Sequence, residues 1–62
     1  MTKKDYVAIA ATIRDQVRVA LNVHEPEVAR GMLILASALI VPLARDNPRF
    51  DHERFLAACE PN

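Results

Sequence analysis

The chain has 62 residues, 52% hydrophobic and 26% charged, and its eight basic and eight acidic side chains give a formal net charge of zero. That apolar share is too high for a disordered segment, one glycine and sparse β-branched runs argue against a sheet, and balanced charge provides no long-range attraction to nucleic acid or an anionic membrane. A single core of this size stabilises folding by roughly 3–5 kcal/mol, so a further staple is expected. The lone Cys59 excludes an intrachain disulfide and the isolated His24 and His52 lack metal-site spacing, which leaves oligomerisation.

The first helix is expected over about 3–21. Thr2-Lys-Lys-Asp5 has the form of a capping box, in which the cap hydroxyl and the carboxylate three residues on each satisfy a backbone amide of the other. Tyr6, Ile9, Ala10, Ile13, Val17, Ala20 and Leu21 recur at helical spacing as one core-facing stripe, with Arg14, Asp15 and Arg18 away from it. Asn22 and His24-Glu25-Pro26 end this helix, because proline disfavours a helical residue before it and suits the first turn of a new helix.

The second helix is expected over about 26–45. Glu25 and Glu27 sit at its positive end, where the helix dipole favours carboxylates. Between Arg30 and Arg45 lies an uncharged run, Gly31 to Ala44, with apolar side chains on every side. Val28, Met32, Leu35 and Leu39 form one ridge, Ala29, Leu33, Ala36, Ile40 and Leu43 a second, and Ile34 and Val41 point a third way. Two short neighbours cannot cover all three, so part of this helix is expected against another copy, with Met32, Leu35, Leu39 and Ile40 as the interface residues. Gly31, Ala36, Ser37 and Ala38 are small enough to let a second helix approach closely. Pro42 removes one backbone hydrogen bond and crowds the carbonyl of Ala38, which predicts a kink near 42.

A third helix is expected over about 51–59. Asn47-Pro48 signals a turn and Asp51 is a natural cap, which puts Phe50 and Phe55 at the spacing of a hydrophobic staple. Phe55, Leu56 and Cys59 then face the other helices, while His52, Glu53 and Glu60 face water. The expectation for residues 1–62 is a single all-α domain, a three-helix protomer of a helical homo-oligomer.

Few residues suggest chemistry. Cys59 lies among Leu56, Ala57 and Ala58, the setting of a buried packing residue and not of a nucleophile with a base beside it. His24, His52, Asp51, Glu53 and Cys59 share no ligand spacing, so no metal and no cofactor are expected. Arg45, Arg49 and Arg54 surround the second turn and are the candidates for a partner or ligand, since their planar forks suit carboxylate or phosphate. Asp46, Asp51 and Glu53 are interspersed with them, and local pairing into a solvated charge network is the simpler expectation. Lys3, Lys4, Arg14 and Arg18 form a second basic strip that serves solubility. A helix-turn-helix reading fails for want of a basic recognition face.

The uncharged run spans about 21 Å as a helix against roughly 30 Å for a bilayer core, which disfavours a membrane span. Asp5 and Tyr6 interrupt any signal-peptide core after Lys3 and Lys4, so the expected location is the cytoplasm.

The string Arg45-Asp-Asn-Pro-Arg-Phe-Asp-His-Glu-Arg-Phe-Leu-Ala-Ala-Cys59, together with Thr2-Lys-Lys-Asp-Tyr-Val-Ala-Ile-Ala10, resembles a family of small phage and prophage proteins that read Asp-Asn-Pro-Arg-Phe-Asp-Arg-x-Arg-Phe near their ends. His52 departs from that pattern where arginine is frequent, and the middle of the chain is not covered. The family has no established general activity, so the resemblance implies a viral origin and supplies no catalytic residues. It raises the expectation of a non-enzymatic protein that acts by stoichiometric binding, such as an inhibitor of a host immune protein. The alternative is an oligomeric sponge that sequesters a small nucleotide signal between protomers.

Overall fold

The computed structural model describes residues 1–61, which fold as three α-helices with no strand among them. α1 runs Lys3–Asn22 and begins at the Thr2 capping box, whose carboxylate arm is well formed: the Thr2 N–H donates to Asp5 Oδ2 at 2.8 Å. Tyr6, Ala10, Val17 and Ala20 are buried along it, with Ile9 and Ile13 half-buried beside them. Leu21 leaves the expected stripe and is 45% exposed. It lies in the last turn of α1, where the neighbouring Ala20 and not Leu21 is buried with Ala29 of α2.

The reversal is a Schellman motif. The Glu25 N–H donates to the Ala20 carbonyl at 2.9 Å and the His24 N–H to the Leu21 carbonyl at 3.1 Å. This wrap requires a left-handed residue, and His24 adopts it at φ 61°. Glycine is the usual occupant because a Cβ costs about 1–2 kcal/mol in that region.

α2 runs Pro26–Asp46 with Pro26 in its first turn. It continues through Pro42 to Asp46 and does not end at the proline. Ala38 is exposed, so water can reach the carbonyl that lost its donor. Ala29, Ala36 and Leu43, seven residues apart in sequence, are the buried line of α2, with Leu33 and Ile40 half-buried alongside. The α1–α2 seam is thus built largely from alanines, Ala10 and Ala20 against Ala29 and Ala36, and small side chains let two helices pack closely.

α3 runs His52–Cys59 and is capped as expected, Asp51 Oδ1 accepting from the Arg54 N–H at 3.0 Å. Phe50 and Phe55 form the staple, with ring centroids 5.3 Å apart. Eight residues of helix reach only about 12 Å, against about 30 Å for each of the other two. The main core therefore gathers where α3 lies, with Tyr6, Ala10, Ala36, Leu43, Phe50, Phe55 and Cys59 in one cluster. The far half of the α1–α2 hairpin has a smaller cluster of Val17, Ala20 and Ala29 to which α3 contributes nothing.

Replacing His24 by glycine relieves the left-handed penalty and loosens the unfolded chain by about 0.4–1 kcal/mol. The net expectation is a gain of about 0.5–1 kcal/mol in a urea-unfolding measurement, whereas replacement by valine should destabilise.

Candidate functional site

The turn between α2 and α3 organises the most structured surface of the protein. Asn47 Oδ1 accepts from the Arg49 N–H at 2.9 Å and the Asn47 carbonyl accepts from the Phe50 N–H at 3.0 Å. Pro48 fits this tight turn because its fixed φ suits the first central position. The turn drives Phe50 into the core, edge-on to Tyr6 at 5.0 Å between centroids, and leaves Arg49 outside. Burial costs the Tyr6 hydroxyl its water, and it is satisfied by donating to Asp46 Oδ2 at 2.8 Å. The amino group of Met1 reaches the same oxygen at 3.0 Å. These two donors hold the Asp46 carboxyl below its ordinary range, the amino group being the larger cause, while burial and the Asp46 charge push the Tyr6 phenol upward.

Two of the three carboxylates near the turn are thereby committed, while Glu53 stays exposed. Asp46 serves Tyr6 and the Met1 amino group, and Asp51 caps α3. The ion pairs among the described residues are Met1–Asp46 and Arg14–Asp15, so the expected pairing of Arg45, Arg49 and Arg54 with Asp46, Asp51 and Glu53 does not form. Arg49 and Arg54 instead line one groove, joined by Lys3 from the first turn of α1. The groove has a volume of about 430 Å³, and its walls include the apolar Val7, Ala10, Phe50, Phe55 and Ala58 together with Tyr6, Asn47 and the capping Asp51. Arg45 lies outside it, exposed near the end of α2. Lys3 was not legible as a partner of the arginines, because its place depends on how α1 packs against α3.

The second candidate surface is the outward face of α2. Ile34 is 64% exposed, Leu35 59% and Val41 54%, with Val28 also exposed. Of the four interface candidates only Leu35 belongs to this face. Leu39 and Ile40 pack against the main cluster, and Met32 packs against the smaller one. Ala36 is fully buried in the protomer's own seam, whereas Gly31, Ser37 and Ala38 are exposed. A Cβ built on Gly31 meets nothing within 4 Å. The whole helix is longer than its uncharged run, and by length and composition α2 is long and apolar enough to cross a membrane.

Among the described residues no group of three His, Cys, Asp or Glu side chains is placed to hold a metal. Cys59 is fully buried in the main cluster, and burial pushes its thiol upward, away from the nucleophilic thiolate. Compared with family models, curated proteins and solved structures, the chain matches none.

The lowered Asp46 carboxyl gives a pH-dependent contribution to stability. It is complete above the ordinary carboxylate range and is lost as pH falls through the lowered folded value, since the unfolded chain then binds the proton more readily. Thermal midpoints measured across acid pH should fall less steeply for Asp46→Asn than for the parent chain, with parallel acid limbs as the contrary result.

Proposed function

We propose that this chain is a small self-associating helical protein that acts by binding, with the outward face of α2 as the seam between copies and the arginine-bearing turn presented to a partner. The observation that carries the reading is the apolar face formed by Val28, Ile34, Leu35 and Val41, which the protomer leaves open to water. The protein exposes 4676 Å², roughly 700 Å² more than the about 4000 Å² expected of a compact monomer of this size. Its radius of gyration is 11.7 Å, against about 10.6 Å for a typical domain of this length. That excess is comparable to the roughly 800 Å² that each partner contributes to a standard interface. Gly31 fits the same face: a glycine inside a helix costs about 1 kcal/mol relative to alanine, and a second helix passing close by is a reason for its presence.

The resemblance to phage and prophage proteins supports a viral origin and a host protein, such as an immune factor, as the partner. The nucleotide-sponge alternative needs open aromatic faces or free amides to hold a base and its phosphates. Tyr6, Phe50 and Phe55 are buried, so the aromatic-face support for that reading is weaker. Insertion of α2 into a membrane competes for the same apolar face, and the inward line of Ala29, Ala36 and Leu43 packed on α1 and α3 favours assembly between copies.

Light scattering on a size-exclusion column across a dilution series should show a discrete oligomer. Leu35→Asp places a charge in the seam and Gly31→Leu fills its notch, and neither side chain meets the protomer core, so both variants should stay helical and shift to monomer. A parent chain that remains a folded monomer at every concentration contradicts the reading, and flotation of that monomer with liposomes assigns α2 to the membrane.

A further inference from the structure

We propose that the groove between α1 and α3 is a receptor for an acidic, aliphatic peptide segment of a partner protein, its carboxylates held by Lys3, Arg49 and Arg54 and an aliphatic side chain set against Val7 and Ala58. The proposal rests on reading the chain as a binding protein and names the chemistry of what it binds. Three cations from three different elements, α1, the turn and α3, stand around a largely apolar floor against one lining carboxylate, the capping Asp51, and none of the three has an ion-pair partner among the described residues. Of the nearby carboxylates, Asp46 is engaged by Tyr6 and Asp51 by the amide of Arg54, and the exposed Glu53 forms no ion pair with either arginine.

The same geometry discriminates between anions. A phosphate is best held at a helix amino terminus, and that of α3 is already filled by the Asp51 carboxylate at 3.0 Å from the Arg54 nitrogen. A nucleobase needs an open ring face, and the aromatic rings here are buried and spent on one another, Tyr6 edge-on to Phe50 and Phe50 tilted against Phe55. What remains is a set of dispersed positive charges beside exposed aliphatic surface, with Val7 61% open. Carboxylates spaced along a peptide match dispersed cations, and the aliphatic residue supplies the desolvated anchor. A second copy is the competing occupant, since Glu25 and Glu27 lie between the exposed Val23 and Val28. The backbone of that turn is already bonded into the helix reversal, so it offers no extended segment to the groove.

The test is an array of short peptides in which acidic, basic and aliphatic positions are varied, including one spanning residues 19–32 of this chain, probed with the full chain at low and high salt. Binding of the best peptide is then followed by anisotropy in solution. The expected result is retention of peptides with two or more carboxylates and an aliphatic residue, weakened by salt and by about tenfold for each of Arg49→Glu and Arg54→Glu. Arg49→Gln and Arg54→Gln should give intermediate losses at unchanged helicity, which separates recognition from folding. Leu35→Asp should leave peptide binding intact, so failure of the assembly and failure of the groove are read separately. Retention of basic or neutral peptides, equal binding by the charge-reversed variants, or no retention overturns the proposal. So does displacement of the peptide by inorganic phosphate or a cyclic dinucleotide, or preference for the chain's own 19–32 peptide.

Discussion

α2 carries apolar side chains on more of its circumference than the rest of the chain can cover, and the architecture follows from that constraint. Its inward line of Ala29, Ala36 and Leu43 is matched by α1, and small residues on both sides bring the two helices close along their length. The third helix is too short to repeat this service. At eight residues it closes one end of the hairpin and leaves the other roofed by nothing from the same chain. The outward residues Ile34, Leu35 and Val41 keep more than half of their surface in water. Burying each such side chain is worth about 1.5–3 kcal/mol, a large fraction of the roughly 3–5 kcal/mol that a core this small provides. A second copy on this face would change the stability of the fold as well as its size.

The end closed by α3 has a different character. Tyr6, Phe50 and Phe55 supply the bulk that the alanine-rich seam lacks, and bringing them together uses up the polar groups around them. Tyr6 needs an acceptor once buried and takes Asp46, while α3 needs a cap and takes Asp51. Both carboxylates serve the fold, and the positive charges of Lys3, Arg49 and Arg54 are left to the surface. The turn and cap that staple this small core also set Arg49 and Arg54 around the groove that Lys3 lines from α1.

Much of this was legible in the residues. The capping box at Thr2, the proline start of α2, the Asp51 cap and the Phe50–Phe55 staple are local signals, complete within a few residues, and each appears where the spacing puts it. The inward ridge of α2 was visible as a periodicity, but which of its ridges faces inward was not, since that depends on packing against α1. Leu39 and Ile40 consequently pack inside the protomer, and Ile34 and Val41 take the outward face. Leu21 followed the stripe in sequence, yet at the end of α1 it is Ala20 that is buried with Ala29 and Leu21 that is left exposed. The arginines were visible as a cluster, but their freedom from local carboxylates was not. Asp46 is taken instead by Tyr6, forty positions away, which no local spacing reveals.

The central claim is that the open face of α2 is covered by another copy of the same chain, and that this contact stabilises the fold. It is tested most directly by following thermal unfolding over a wide range of protein concentration. A fold held together by assembly must unfold at a midpoint that rises as concentration rises, because mass action favours the associated native state. The account predicts that rise. A midpoint independent of concentration, with one cooperative transition throughout, would show that the protomer stands alone and that its apolar helix serves something other than self-association.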